Sequence, residues 1–272
     1  MPYPVPFRLA TRLALPLAAA LVAAGCSSLG GAPSSQSKAQ IAGLEKPAEV
    51  LIDQWGVPHI YAGTTYDAFV LQGYMAARDR LWQMDLWRKR GLGEMAKDFG
   101  PAWVENDKAA RAVLFRGDMY REWLAYGSDS KRVAEAFVAG VNAFVAQTEA
   151  DASLLPEEFK LLGYKPAQWA AEDTVRIRHH GLTLNFTGEV DRAQAFCDGK
   201  QNGARVDWLR RELVPDVKVQ VPEGLDTCGL PGKELKRAYG LATASPRFTK
   251  DNVKLSHADM TPEQLLALSE ST

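Results

Sequence analysis

The strongest constraint on the fold comes from a long segment in which large residues recur at steps of three and four. Residues at this spacing share one face of a helix. The members of this face are Leu71, Met75, Arg78, Trp82 and Leu86. The other faces, with Phe69, Met84 and Trp87, are hardly more polar. Because a helix that is apolar on most sides has to be covered, we predict a largely buried helix that breaks near Gly91 or Gly93. We interpret its tryptophans as core packing, not as a cofactor site.

Two arginines lie within this predicted helix, Arg78 and Arg80. An unpaired buried cation costs on the order of several kcal/mol. The nearest carboxylates in the sequence belong to Asp79 and Asp85. We therefore expect buried ion pairs with a structural role.

The preceding segment, AEVLIDQWGVPHIYAG, predicts two short strands joined by a turn. Val50 and Ile52 alternate before the turn, as they would in a half-buried strand. Gly56 suits a positive φ in the turn, and Pro58 indicates an edge or a strand start. We expect His59 to brace the turn through a hydrogen bond of its ring.

Further helices are predicted along the chain. A cap at Thr64 or Thr65 begins the first helix, and residues 130 to 147 form an amphipathic one. The stretch LLPEEFKLLGYKPAQWAAED predicts a short helix, a turn and the start of a third helix that carries TVRIRHHGLTLNF. On that helix His179 and His180 would point about 100° apart, so they are unsuited to share a metal ion.

Composition limits the classes of partner. The chain has 272 residues, 46% of them hydrophobic, so it can bury one large core or two modest ones. Its 32 Lys and Arg nearly balance 33 Asp and Glu, and no run of like charges stands out. A nucleic-acid partner is therefore not indicated.

One surface ion pair is also predicted. Asp107 and Arg111 are four residues apart, so their side chains would meet on the surface of a helix.

The N-terminus has the layout of an export signal. Arg8 and Arg12 make a basic region, LALPLAAALVAAG is apolar, and small residues lead to Cys26. A run this short, broken by Pro16, does not span a bilayer as a helix. We assign residues 1–25 to an export signal.

The end of this signal, VAAGC, resembles a bacterial lipoprotein box in which Cys26 is lipidated. Ordinary signal peptidase cleavage stays open, because Ala23 stands where that box most often has Leu. Ser27 after the Cys indicates outer-membrane sorting. We expect an exported, periplasmic protein anchored to the outer membrane by a lipid on Cys26, with residues 26–46 as a flexible tether.

Export leaves Cys197 and Cys228 in an oxidising compartment. A disulfide between them would close a loop and stabilise the region. Two free thiols are the alternative, because spacing does not show that the sulfurs meet. Neither cysteine lies in a CxxC pair or near a ligand-spaced His, so a zinc site is not indicated.

Five blocks of the sequence resemble, in order and at suitable separations, the landmarks of the penicillin acylase family. The blocks are IDQWGVPHIYA, DAFVLQGYMAARDRLWQMDLWRKRGLGEMAKDFG, AGVNAFV, LPEEFKLLGYKPAQWAAED and NFTGEVDRA. Weaker similarity in VPEGLDTCGLP and YGLATASPRF extends the resemblance to about Phe248.

The resemblance implies an N-terminal-nucleophile hydrolase with an αββα sandwich, made as one precursor that is cut into an α chain, a spacer and a larger β chain. The β chain begins with a Ser whose hydroxyl attacks an amide carbonyl, while its own α-amino group takes the proton. This chain would be the mostly helical α-chain portion of an α+β fold, incomplete without the β chain. Residues 47–213 would be the α-chain region, 214–250 its loop-rich end, and 251–272 a linker or the start of the spacer.

The reacting group of that family is missing here. The family's β chain opens with a Gly-Ser-Asn junction, and no Gly-Ser-Asn occurs in the chain. Gly127 and Ser128 are followed by Asp129 and precede a predicted helix, which favours a helix cap. No GxSxG elbow of a conventional hydrolase is present either. We expect an inactive chain: an α-chain half, a truncated reading frame or part of a split gene.

The resemblance places three candidate site residues in NFTGEVDRA. Phe186, with Asn185, matches an Arg-Phe pair beside the acyl pocket, with Asn in place of Arg; the alternative for Phe186 is plain core packing. Glu189 matches the α-chain ligand of a structural calcium ion, whose other ligands would come from the β chain. The alternative for Glu189 is a surface pair with Arg192.

The implied function is hydrolysis of the linear amide of a small N-acyl compound, such as a β-lactam side chain or an acyl-homoserine lactone. An alternative from another class is a non-catalytic envelope lipoprotein that kept the pocket half as a binding module. A third is a truncated pseudoenzyme. The envelope-lipoprotein alternative is disfavoured, because an α chain without its β chain would expose a large apolar surface.

Overall fold

The computed structural model describes residues 38–178, 185–199, 223–254, 257 and 259–270. The chain divides into two compact units, residues 1–40 and residues 41–272. Of the first unit the structure describes residues 38–40, so the predicted export signal and Cys26 lie outside the described residues. The elements below all belong to the second unit.

The described part of the second unit is mostly helical, with one two-stranded sheet, in agreement with the predicted mostly helical α+β region. The strands are β1 (Glu49–Ile52) and β2 (Pro58–Tyr61). The helices are α1 (Thr65–Leu92), α2 (Met95–Phe99), α3 (Val104–Val113), α4 (Met119–Ala125), α5 (Ser130–Ala150), α6 (Glu157–Leu162), α7 (Asp173–Arg176), α8 (Phe186–Asp198), α9 (Gly232–Thr243) and α10 (Pro262–Glu270). Among these described helices, none has the length and hydropathy needed to cross a membrane.

The predicted hairpin is confirmed. Strands β1 and β2 are antiparallel, with Ile52 opposite Pro58, so the proline begins the second strand as its missing N–H requires. Gly56 has a φ of 80° in the turn, a value that glycine adopts without strain.

The carboxylate of Asp53 organises the hairpin turn. It accepts the backbone N–H groups of Trp55 and Val57, each at 2.9 Å. Its other oxygen lies 3.1 Å from Nε2 of His59, so the predicted bracing by this histidine is confirmed. The hydrogen bond from His59, followed by that from Val57, lowers the pKa of Asp53.

Helix α1 begins at a capped turn, as predicted. Thr64 Oγ1 accepts the N–H of Asp67 at 3.0 Å, and the buried carboxylate of Asp67 accepts the Thr64 hydroxyl and the Glu45 N–H, each at 2.7 Å. The helix ends at Gly93, which has a φ of 69° and returns its N–H to the last turn. At Arg80 the backbone leaves helical geometry, with a φ of −141°, so α1 is kinked.

The buried face predicted for α1 holds for its apolar members, which are at most 5% exposed: Leu71, Met75, Trp82 and Leu86. The buried ion pairs predicted for Arg78 and Arg80 are wrong. Arg78 pairs with its neighbour Asp79 at 2.7 Å, with a third of both side chains exposed, and Arg80 is exposed. Both long side chains carry their charge to the surface, where it stays hydrated.

Helices α1 and α5 cross at two glycines. A Cβ on Gly73 would lie 1.9 Å from the carbonyl oxygen of Phe137. A Cβ on Gly140 would lie 1.8 Å from the carbonyl oxygen of Val70. The two backbones therefore touch directly, which brings the apolar face of α5 into the core beside α1.

Aromatic rings fill the centre of the core. Trp82 of α1 meets Phe159 of α6 edge-on, with ring centroids 5.5 Å apart. Phe99 of α2 meets Phe248 in the same way at 5.1 Å. Each edge-to-face pair contributes about 0.5–1.5 kcal/mol beyond the burial of its two rings. This cluster joins α1, α2 and α6 to the C-terminal region.

The C-terminal helix α10 packs into the same core. Leu265 and Leu268 are 5% and 0% exposed. The indole N–H of Trp82 donates to the carbonyl oxygen of Leu268 at 3.3 Å, and Ser269 Oγ accepts the N–H of Phe248 at 2.8 Å. Residues 262–270 of the predicted linker are thus packed, while the division into a spacer stays a prediction.

The predicted pair between Asp107 and Arg111 is wrong. Asp107 accepts the N–H groups of Met95 and Ala96 at 2.9 and 2.8 Å and so caps α2. Arg111 donates to the carbonyl oxygen of Gly93 at 3.0 Å. Each side chain satisfies backbone groups at the junction of α1 and α2, which have no partner within their own helices.

The third predicted helix is described as α7 alone, four residues long. His179 and His180 lie outside the described residues.

Candidate functional site

The predicted site residues lie together at the start of α8. Asn185 occupies the N-cap position. Its Nδ2 donates to Glu189 Oε1 at 3.3 Å, and Arg192 donates to the same oxygen. The side chain of Glu189 is 56% exposed. Glu189 thus lies in the first turn of α8 and forms an ion pair with Arg192.

Phe186 stacks on Tyr239 of α9. The ring centroids are 4.9 Å apart and the ring planes differ by 20°. Tyr239 is buried, whereas Phe186 keeps part of its surface exposed. The sequence prediction missed Tyr239, although it is spaced three residues from buried Ala242 on α9, a helical pattern that was available.

Three contacts hold α8 against α9 and the segment before it. Lys236 of α9 forms an ion pair with Asp191. Val190 is buried, and a Cβ on Gly232 would lie 3.3 Å from it. Cys197 at the end of α8 is joined to Cys228 by a disulfide, which resolves the alternative that the sequence left open.

Loss of this disulfide should destabilise the site region. The cysteines are 31 residues apart, and a loop of this size is stabilised by about 2–4 kcal/mol when it is closed. We expect dithiothreitol to lower the melting temperature of the wild-type chain by several degrees. The double variant Cys197→Ser, Cys228→Ser should melt at the lowered temperature with or without the reductant. Equal melting of wild type in both conditions would contradict the prediction.

Helix α9 packs in turn against α3. Asn106 Nδ2 donates to the carbonyl oxygen of Leu241 at 3.1 Å. Three buried alanines let the two helices approach closely: Ala109, Ala110 and Ala242. Since Asp107 of α3 caps α2, the site on α8 is linked through α9 and α3 to the main core.

A second set of ionisable groups is enclosed in the core. Lys89 Nζ lies 2.6 Å from Asp98 and 3.5 Å from Asp85, which also accepts the Tyr164 hydroxyl at 3.2 Å. Lys89 is 3% exposed and Asp85 0%. Burial raises the pKa of Asp85, and burial together with Asp85 raises the pKa of Tyr164. We call these four residues the Lys89 cluster and assign it a structural role, because Lys89 and Asp85 are buried in the core.

The described residues include two cysteines and the Gly127-Ser128 pair that were weighed as nucleophile candidates. Cys197 and Cys228 are bonded to each other. Gly127 accepts the N–H of Ser130 in the turn before α5, whose N-cap is Asp129 and not the predicted Gly127-Ser128. What α8 and α9 offer is an apolar aromatic wall beside an exposed amide and a carboxylate.

Glu189 offers one carboxylate to a metal ion, whereas calcium takes six to eight oxygen ligands. Within the described parts of the chain, no group of three His, Cys, Asp or Glu side chains comes together. Within the described residues, Glu189 therefore does not form a complete calcium site by itself.

The family described as Penicillin amidase matches residues 47–245. Penicillin acylase 2 proenzyme of a Pseudomonas species is 36% identical over 153 residues, which are 56% of this chain and 19% of that protein. Acyl-homoserine lactone acylase QuiP of Pseudomonas fluorescens is 30% identical over 224 residues, which are 80% of this chain and 27% of that protein. The chain spans roughly a fifth to a quarter of the length of these relatives.

A solved chain of a thermostable penicillin G acylase from Alcaligenes faecalis is similar in structure, with a TM-score of 0.50 and 27% identity. The match takes in 65% of this chain and 98% of the solved chain. The solved chain is therefore a shorter polypeptide with a counterpart here for nearly all of its length, in contrast to the two curated relatives.

Proposed function

Because the chain belongs to the penicillin amidase family, we propose that it is the α-chain part of a penicillin acylase-like amidohydrolase. The substrate would be the linear amide of a small N-acyl compound, such as the side chain of a β-lactam. A β chain would supply the nucleophile, a Ser at its N-terminus whose α-amino group accepts the hydroxyl proton. Water would then release the acyl group from that Ser.

The main support for this proposal is a difference in how much of two similar proteins this chain matches, one a solved chain and the other a full proenzyme. The solved penicillin G acylase chain is matched over 98% of its length, whereas penicillin acylase 2 proenzyme is matched over 19% of its own. Such a difference is expected of a family that is synthesised as a long precursor and functions as separate chains.

Acyl-homoserine lactones are the second candidate substrate. The match to acyl-homoserine lactone acylase QuiP of Pseudomonas fluorescens covers 80% of this chain, against 56% for penicillin acylase 2 proenzyme. Both substrates present an acyl chain on an amide nitrogen, so the two candidates differ in the group that leaves.

We assign the following roles within the proposed enzyme. Phe186, held flat against Tyr239, supplies an apolar wall for the acyl group. Asn185 offers an amide that can hydrogen bond to the polar end of the substrate. Glu189 supplies one oxygen to a structural calcium ion that the β chain completes, and Arg192 must then leave this carboxylate. Cys26 carries the lipid that anchors the exported enzyme to the outer membrane.

The isolated chain should not hydrolyse amides. We expect no release of chromophore from a phenylacetyl or a fatty-acyl chromogenic amide by the purified chain, because the nucleophilic Ser of the proposed enzyme belongs to the β chain. Isolation of the native protein from membranes through this chain should yield a larger polypeptide that begins with Ser, and that complex should be active.

Two outcomes would overturn the proposal. Hydrolysis by the chain alone would show that no second chain is needed. A solitary, folded and inactive chain would favour the alternative of a non-catalytic envelope lipoprotein. If the complex is active, the ratio of its rates on a β-lactam amide and an acyl-homoserine lactone that carry the same acyl group would separate the two candidate substrates.

A further inference from the structure

Arg90, in the last turn of α1, is a buried cation that pairs with no carboxylate of the described residues. The residue as a whole is 7% exposed. Nη1 donates to the carbonyl oxygen of Ala244 at 3.3 Å, and Nε has no hydrogen-bond partner among the residues that the structure describes. Across the described parts of the chain, no Asp or Glu oxygen lies within 4 Å of this guanidinium.

The two preceding residues show what the arginine lacks. Arg88 Nε lies 2.8 Å from Asp173, and Lys89 Nζ lies 2.6 Å from Asp98. Residues 88–90 are thus three consecutive cationic residues directed into the protein, and the first two of them pair with a carboxylate. Burial lowers the pKa of Arg90, with no opposing contribution from an acidic neighbour. The helix dipole favours a cation at this end of α1, but its effect is smaller than that of a paired carboxylate.

Beside Arg90 the surface is apolar and aromatic. The ring of Trp87, one turn earlier on α1, lies 5.2 Å from the Arg90 guanidinium and is 50% exposed. The prediction that this tryptophan is core packing is therefore wrong for the chain alone. Ala244, which accepts from Arg90, is exposed as well. We name these three residues the Trp87 patch.

We propose that the Trp87 patch is a docking point for the second polypeptide, and that an Asp or Glu of that chain pairs with Arg90. The inference rests on the function proposed above, since it requires that chain. Arg and Trp are the residue types that contribute most at protein interfaces, and a guanidinium binds a carboxylate through two parallel hydrogen bonds. An apolar group of the same segment covers the exposed face of Trp87.

The isolated full-length chain provides the first test. Arg90→Met removes an uncompensated buried cation, so its melting temperature should equal or exceed that of wild type. Arg88→Met is the matched control: it removes the partner of buried Asp173 and should lower the melting temperature by several degrees. If Arg90→Met melts as early as Arg88→Met, then Arg90 is satisfied within this chain and the inference fails.

The second test measures recovery of the partner. Wild-type and variant chains carrying an affinity tag are isolated from membranes, and the polypeptide that begins with Ser is quantified per tagged chain. We expect at least a tenfold loss with Arg90→Met and a clear loss with Trp87→Ala. Arg121→Met, whose side chain is 87% exposed, should change nothing.

The outcomes separate this inference from the proposed function. Equal recovery with wild type and Arg90→Met would overturn the docking point and leave the two-chain enzyme intact. Absence of the second polypeptide from the wild-type preparation would overturn both.

Discussion

Replacement of Gly140 by alanine should destabilise the chain by about 3 kcal/mol or more, at or beyond the upper end of overpacking effects. The new Cβ would lie 1.8 Å from the carbonyl oxygen of Val70 and 2.7 Å from the backbone nitrogen of Tyr74. Both atoms belong to the backbone of α1, so no side chain can rotate away to make room. The two helices would have to separate, and the apolar face of α5 would lose its contact with α1.

The matched control is Gly240→Ala. Gly240 lies inside α9, and a Cβ at this position would meet nothing within 4 Å. Alanine is a better helix former than glycine, so this variant should gain about 0.5–1 kcal/mol. Urea denaturation of the two variants and the wild type measures both effects. If Gly140→Ala and Gly240→Ala shifted the midpoint in the same direction, the proposed backbone contact between α1 and α5 would be refuted.

These two glycines show where prediction from the sequence stopped. The period of large residues predicted α1 and α5, and the alternation around Gly56 predicted the hairpin, because both patterns are local. A glycine inside a helix indicates only a loss of helix propensity. Its role as a contact depends on which backbone lies opposite, and Gly140 and Val70 are far apart in the chain.

The sequence also did not show which side chains of α1 are exposed. Arg78 was predicted to be buried because it shares a face with Trp82, yet its side chain reaches solvent beside Asp79. Trp87 was predicted to be core, yet it is half exposed. A helix that is apolar on nearly every side gives no signal for which face is covered within this chain and which one is left for a partner.

At the candidate site, the sequence placed the residues but not their supports. The spacing of Asn185 and Glu189, four residues apart, was sufficient to bring the two side chains into contact on one helical turn. The stack of Phe186 on Tyr239 joins positions on different helices, and the resemblance offered no motif for it. The disulfide was one of two alternatives, because a pair of cysteines in one chain does not reveal the distance between them.

Replacement of Lys89 by methionine should cost about 3–5 kcal/mol, the usual effect of removing one partner from a buried ion pair. Methionine has nearly the same length as lysine and fills the space, so the loss would come from charge. The carboxylate of Asp85, 0% exposed, would keep the Tyr164 hydroxyl but have no cation within contact, and Asp98 would lose its contact at 2.6 Å. Lys108→Met is the control, since Lys108 is 69% exposed and pairs with Glu105 on the surface. It should change stability by at most about 0.5 kcal/mol.

The defect of Lys89→Met should depend on pH in a defined direction. Burial already raises the pKa of Asp85 above its ordinary value of 3.8 while Lys89 opposes the rise, so loss of the lysine raises this pKa further. A group with a raised folded pKa binds its proton more tightly in the native state, and its contribution to stability therefore falls as pH increases above the ordinary value. The gap in unfolding free energy between wild type and Lys89→Met should be widest near neutral pH and should narrow as the pH is lowered towards 4. Denaturation curves at pH 4.5 and pH 7 measure it, and a gap that is constant or wider in acid would show that the lysine acts through packing and not through its charge on Asp85.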